Sequence, residues 1–303
     1  MFVIDVPYLS IRQTFFSGQT LLWERHDRNA DHTRYTIQHG DMLLGAAQKG
    51  DRLILNCTED EFFDVWYQYL DIGTDYQHVN RSLMDCQGYM REFARYSSGV
   101  HVLNQSPHEA ILTTILQYMQ YRSESKRLMR WLCENCGEEN RKLIKGLGSV
   151  KYFSVPTIEQ LSNKLWLIGE TFLDVEYPTD QQALDALTMD LVYQYVCECY
   201  DGYFDPCSDK AKFDDTQLRM DLRMYDWLPD ERCVSRVMLY GYGRKNVFPM
   251  SDYVSKKIEK HTHMESDLFL DWYLHDSKYK GYASQYVLYK FLNPIERQDK
   301  WVW

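Results

Sequence analysis

Residues 1–70 carry short alternating or apolar runs of strand length. The stretch "TRYTIQHGDMLLGAAQKGDRLILNC" is broken at His39-Gly40-Asp41 and at Lys49-Gly50-Asp51. Gly-Asp breaks between such runs predict hairpin turns. The texture changes after Asn56. "TEDEFFDVWYQYL" opens on Thr58 with Glu61 three residues later, a capping-box pattern, and Phe62, Val65, Trp66 and Tyr69 follow at helical spacing. Further on, "SPHEAILTTILQYMQYRSESKRLMRWLCENCG" predicts two helices: Ser106 as N-cap, Pro107 at the first helical position, a break at Tyr121–Ser123 and a stop at Gly137. "CVSRVMLYGYG", "SDYVSKKIEKH" and "GYASQYVLYKFL" predict three more. Residues 137–176 and 200–217 read as loops or insertions. The pattern is that of an α+β protein: an antiparallel β-rich N-terminal domain with a linking helix over 1–98, then a mostly α-helical domain over 99–303.

Composition narrows the function classes. The 303 residues carry a net charge of −10, which argues against a protein basic all over but leaves room for a local basic footprint on nucleic acid. Twenty-four tyrosines supply amphipathic rings for interfaces or stacking. The start "MFVIDVPYLSIRQTFF" lacks the regions of a signal peptide, and no apolar run approaches the ~18–20 residues of a membrane span. A soluble cytoplasmic protein, nucleoid-associated in a bacterium, is the expectation, with no membrane partner and its eight cysteines reduced. Cys133-x-x-Cys136, Cys197-x-Cys199 and Cys207 match no standard four-ligand metal pattern, so neither a metal nor another cofactor is expected.

One stretch stands out in an acidic chain. In "GRKNVFPMSDYVSKKI" a single acid, Asp252, sits between Arg244/Lys245 and Lys256/Lys257, ahead of an amphipathic helix that Ser251 is placed to cap. Taken alone, Asp252 reads as a first-turn acid of a solvated helix.

Several segments in order resemble the helix-hairpin-helix DNA glycosylases, and within them the 8-oxoguanine DNA glycosylase branch. They are "FFSGQTLLWER", "FFDVWYQYLDIGTDYQHV", "GVHVLNQSPHEAILTTILQ", "MLYGYGRKNVFPMSDYVSKKI" and "YKGYASQYVLYKF", roughly two-thirds of the chain. The resemblance implies a helix-hairpin-helix glycosylase core and places the family's catalytic carboxylate at Asp252. There an ionised acid beside a helix N-terminus would steady the positive sugar left by a departing base. It places the base pocket at Gly18 and Gln19 in the N-terminal turn and at Ser284, Gln285 and Leu288 of the last helix. Leu288 stands where the family has a stacking ring, a plane that only Tyr282 or Tyr289 could replace. It places DNA contacts at Met119, Gln120 and Tyr121, whose counterparts fill the gap left by a flipped base, and at Arg244, Lys245, Lys256 and Lys257 on backbone phosphates.

Two departures shape the expected chemistry. The family's glycine-rich hairpin reads "WLPDERC", where Asp230 and Glu231 would repel a phosphate. The position matching the sugar-attacking lysine of bifunctional members is Arg232, whose guanidinium cannot form an imine. Lys245, the nearest lysine downstream, is expected to stay in solvent. Basic clusters at Arg122/Lys126/Arg127/Arg130 and Arg141/Lys142/Lys145/Lys151 read singly as solvated faces; the second could also stand in for the lost hairpin contact. The expectation is a monomeric DNA glycosylase that binds double-stranded DNA, flips a damaged or modified base and removes it with water, without lyase activity. A catalytically inactive DNA- or protein-binding module on the same fold is the alternative.

Overall fold

The computed structural model describes residues 1–26, 33–86, 88–176, 179–208, 212–275 and 277–292. The described residues form two compact units: 1–37, 44–105 and 243–292 make up the first; 38–43 and 106–242 make up the second. This grouping differs from the linear division at 98 and 99, because the last helices join the N-terminal part.

The N-terminal sheet has five strands: β1 (Phe2–Asp5), β2 (Trp23–His26), β3 (Arg34–His39), β4 (Met42–Lys49) and β5 (Arg52–Leu55), in the order β1-β5-β4-β3-β2. The two expected turns form, with Gly40 at φ 58° and Gly50 at φ 59°, a left-handed conformation that glycine adopts without steric cost. Trp23, Ile37, Leu53 and Leu55 are fully buried. Thr58 caps the linking segment by accepting from the Glu61 amide at 3.1 Å. The other half of the capping box differs, because Glu61 turns to accept from Trp66 Nε1 at 3.0 Å. A π-helical turn over Phe62–Trp66 then buries Phe62, Trp66 and Tyr69. Helices Tyr76–Asp85 and Gly88–Ser97 pack in this unit with the last helix, Lys280–Leu292. Ser97 Oγ donates to the Tyr286 carbonyl at 2.8 Å, and the Tyr286 hydroxyl donates to Asn80 Oδ1 at 2.6 Å.

In the second unit helix Pro107–Leu116 starts at Ser106, whose hydroxyl accepts from the Glu109 amide, and helix Arg122–Cys136 follows after the expected break. Gly137 ends it where a Cβ would lie 2.1 Å from the Ser154 carbonyl, so no side chain fits. The stretch 137–176, read as loop or insertion, is structured. Strands β6 (Glu139–Ile144) and β7 (Gly148–Phe153) form a hairpin, and helices Ile158–Ser162 and Leu165–Ile168 follow. The other stretch read as loop or insertion, 200–217, is loop at its described residues between 201 and 214 and enters helix Asp215–Leu222 at its end; residues 209–211 lie outside those described. Helices Asp180–Tyr200 and Glu231–Tyr240 pack against Pro107–Leu116. Burial pushes the Cys133 and Cys136 thiols up, to about 12 and about 11, which disfavours the thiolate that a metal would need. Among the described residues, no helix is long and apolar enough to cross a membrane.

Candidate active-site and DNA-contact residues

The segment that gathers the cations lies in the first unit. Ser251 is the N-cap of helix Asp252–Thr262; its hydroxyl accepts from the Val254 amide at 3.2 Å. Asp252 is the first helical residue and is exposed, so its carboxylate stands at the positive end of the helix and open to a partner. Val254 and Ile258 anchor the opposite face in the core. Lys256 is exposed one turn on, while Lys257 lies over the Tyr253 ring at 5.4 Å from its centroid. Lys256 is therefore the better placed of the two to reach a phosphate.

Lys245 corrects an expectation. Its ammonium folds inward and donates to Asn104 Oδ1 at 2.7 Å and to the Val102 carbonyl at 3.3 Å. Asn104 passes the contact to Asp71, donating to Oδ1 at 3.2 Å. Asp71 Oδ1 also accepts from Thr74 Oγ1 at 3.0 Å, and Oδ2 accepts from the Tyr76 and Tyr282 hydroxyls at 2.8 and 3.5 Å. Burial lowers the Lys245 pKa to about 8, and Asp71 partly opposes the shift. The Lys245 carbonyl accepts from the Gly281 amide at 2.8 Å, which ties the segment to the start of the last helix. The hydrophilic neighbourhood "GRKN" suggested a solvated side chain; the acceptors that draw it in are 143 and 141 residues away and could not be read locally.

The Gly18-Gln19 turn is held from the same side. Gly18 has φ 74°, a conformation that L side chains rarely adopt. Gln19 is 1% exposed and spends its side chain inside the unit: Nε2 donates to Ser17 Oγ and to the His101 carbonyl, both at 2.7 Å, and Oε1 accepts from the Leu103 amide at 2.8 Å. Its role is thus to clamp residues 101–103, and the turn offers backbone rather than this amide. His101, unforeseen from sequence, completes the scaffold. It stacks on Tyr76 with centroids 3.6 Å apart, and burial lowers its pKa to about 4. In the last helix Ser284, Gln285 and Leu288 are all buried, and Ser284 Oγ donates to the Gly281 carbonyl at 2.7 Å. Neither possible replacement ring is at liberty: the Tyr282 hydroxyl faces Asp71, and Tyr289 lies against Tyr96.

Met119, Gln120 and Tyr121 belong to the second unit. Met119 and Tyr121 are 48% and 55% exposed, as a wedge between bases would need to be. Gln120 is buried: Nε2 donates to Asp185 Oδ1 and Thr188 Oγ1 at 3.2 and 3.1 Å, and Oε1 accepts from Gln181 at 2.7 Å. That takes Gln120 off the surface. The glycine-poor hairpin keeps a helix–loop–helix form, with Asp230 capping Glu231–Tyr240 by accepting from the Cys233 amide at 2.8 Å. Its acids are ion-paired within the unit. Asp230 pairs with Arg232 at 3.1 Å, and Glu231 pairs with Arg219 and Arg223. The Arg122/Lys126/Arg127/Arg130 cluster is not one solvated face either: Arg122 is buried and Arg127 bridges Glu124 and Asp185.

Comparison with known proteins bears on the N-terminal domain and the fold. Residues 1–111 match the family model of the 8-oxoguanine DNA glycosylase N-terminal domain. No match was found among curated protein sequences. Three solved structures share the fold over nearly the whole chain. MBOgg1 in complex with a low-affinity DNA ligand is 20% identical over 95% of this chain and 93% of that one, with a TM-score of 0.78. The apo 8-oxoguanine glycosylase/lyase of Clostridium acetobutylicum is 18% identical over 95% of each, with a TM-score of 0.77. The 3-methyladenine DNA glycosylase of Archaeoglobus fulgidus is 14% identical over 96% and 98%, with a TM-score of 0.70. Residues 1–111 thus match the N-terminal domain of the 8-oxoguanine DNA glycosylases, and the chain as a whole shares the fold of these solved structures.

Proposed function

We propose that the protein is a DNA glycosylase that binds double-stranded DNA, extrudes a damaged or modified base and hydrolyses its N-glycosidic bond, with Asp252 as the catalytic carboxylate. The observation that carries the reading is the placement of Asp252: an exposed acid at the first position of a Ser251-capped helix, in a chain with this N-terminal domain and fold. As the base departs, positive charge develops on the sugar; a fixed carboxylate stabilises it and orients the attacking water. Extruding a base costs a few kcal/mol, which phosphate contacts and the apolar side chains Met119 and Tyr121 would offset. The hydrolytic outcome follows from Arg232, because guanidinium does not act as an amine nucleophile.

One observation favours a second reading, in which the enzyme also cleaves the strand. The Lys245 pKa is lowered to about 8, a property that nucleophilic lysines need. Against it, Lys245 is committed to Asn104 and Val102. The reading is tested with duplexes bearing different damaged or modified bases. Products that break only after hot alkali support hydrolysis. Strand breaks without alkali support the second reading. No abasic product from any duplex would favour an inactive binding module.

A further inference from the structure

In the second unit a cavity of about 330 Å³ lies between the turn at Gly40-Asp41, the start of helix Pro107–Leu116 and residues 154–160. A water takes up roughly 30 Å³ in the liquid, so the space suits a small organic group rather than a single water. Its charge is one-sided. Asp41, Glu109 and Glu138 line it, and none of the described residues lining it is a lysine or arginine. His108 brings no positive charge: Nε2 donates to the Pro156 carbonyl at 2.8 Å, Nδ1 accepts from the Tyr195 hydroxyl at 2.8 Å, and burial lowers its pKa.

Glu109 is the buried acid of the three, 1% exposed. Ser106-x-x-Glu109 has capping-box spacing, and half of the box forms, with Ser106 Oγ accepting from the Glu109 amide at 3.2 Å. The Glu109 carboxylate turns instead to the cavity wall, where Oε2 accepts from His39 Nδ1 at 2.7 Å and from the Gly40 amide at 3.3 Å. Burial would lower the His39 pKa, but the bond to Glu109 and its charge raise it, so the carboxylate already acts on one cation. That pair holds one oxygen and orients the other: Oε1 is enclosed and accepts no hydrogen bond from the protein. The helix dipole favours an acid in the first turn, which accounts for the charge but not for the open oxygen. A buried carboxylate oxygen without a donor is costly.

We propose that the cavity binds the ammonium group of an aliphatic amine, with Glu109 Oε1 as the buried acceptor. A charged N–H donor makes the strongest hydrogen bond to a carboxylate. Asp41 and Glu138, both exposed, add attraction from the surface, and Val155 and Pro156 give the alkyl stem an apolar wall. A metal ion is the poorer fit, since among the described residues no three His, Cys, Asp or Glu side chains gather as ligands. The amine has two sources, a free small amine or the lysine side chain of another protein. The inference goes beyond the DNA reading and does not depend on it.

Isothermal titration calorimetry of the whole chain with n-butylammonium and with Nα-acetyl-lysine amide, at matched ionic strength, tests it. Wild type should bind saturably at one site. Glu109→Gln keeps an oxygen for His39 and Gly40 but loses the charge, and should bind at least about tenfold more weakly. Asp41→Asn, at an exposed position, should bind about two- to fivefold more weakly, and decides the matter if Glu109→Gln does not fold. Binding of butylammonium alone identifies a free amine as the ligand; equal binding of the blocked lysine identifies a partner's side chain. No saturable binding of either compound by wild type would overturn the proposal. So would unchanged affinity in Glu109→Gln, or in Asp41→Asn where that variant decides, or equal binding of neutral n-butanol. Magnesium chloride binding that Glu109→Gln abolishes, with no response to the amines, would assign the cavity to a metal ion instead.

Discussion

His101 is neutral in the folded protein under ordinary conditions, and that has a measurable consequence. The ring is 1% exposed; Nδ1 donates to the Leu70 carbonyl at 2.9 Å, and one face stacks on Tyr76. Burial lowers its pKa from 6.5 to about 4. Between these values the unfolded chain binds a proton that the folded chain refuses, so stability falls as pH drops. At ~1.4 kcal/mol per pH unit the whole gap is worth about 3 kcal/mol, and the interval from pH 7 to 5 about 2 kcal/mol. In His101→Asn the amide nitrogen takes the place of Nδ1 and the side chain does not titrate. Urea unfolding of both proteins at pH 7 and pH 5 isolates the effect, since other titrating groups, His39 included, are common to both. Wild type should lose about 2 kcal/mol more than the variant on acidification. Equal losses would refute the reasoning and place the His101 proton elsewhere. The segment that His101 holds, 100–104, is the one that Gln19 clamps and Lys245 bonds, so acid should loosen this scaffold before the rest of the unit.

Gly18→Ala forces an L side chain to φ 74° and should cost about 1–2 kcal/mol, read as a lower urea midpoint at unchanged slope; an unchanged midpoint would mean that the turn relaxes freely. DNA affinity should fall with salt at a log–log slope near −4 to −5 if about five phosphates are neutralised, and Lys256→Ala should flatten that slope by about 1; affinity indifferent to salt would point to a protein partner instead. Borohydride should trap no covalent protein–DNA adduct, and an adduct that disappears in Lys245→Ala would transfer the reaction to that amine and overturn the purely hydrolytic reading.

Much of the framework was legible because its signals are local. Gly40 and Gly50 mark turns by a conformation that glycine alone adopts cheaply, and Ser106 and Ser251 cap helices through hydroxyls three residues from the amides they satisfy. The β6–β7 hairpin was missed for a physical reason. Its strands hold Arg141, Lys142 and Lys151 with few buried positions, so no apolar alternation marks them, and Glu139 pairs with Arg141 and Lys151 only once the strands meet. The candidate site was legible at Asp252 in one respect, the Ser251-capped helix start. It was illegible wherever a side chain's state depends on distant partners. Lys245 and Gln120 both looked like surface contacts, and both are claimed by groups far along the chain, Asn104 for one and Asp185 with Thr188 for the other. Asp71, which gathers Asn104, Thr74, Tyr76 and Tyr282, gave no signal beyond a lone acid after an apolar run.

The central claim is that the Asp252 carboxylate drives base release. Asp252→Asn is nearly isosteric and leaves the Ser251 cap intact, so folding and DNA binding should stay within a few-fold of wild type. Single-turnover excision on the best duplex found for the wild type measures the charge alone. The account predicts release by the wild type and a loss of at least about 10²-fold in the variant, the scale seen when one electrostatic stabiliser is removed from a transition state. Release at the same rate by both proteins would contradict it.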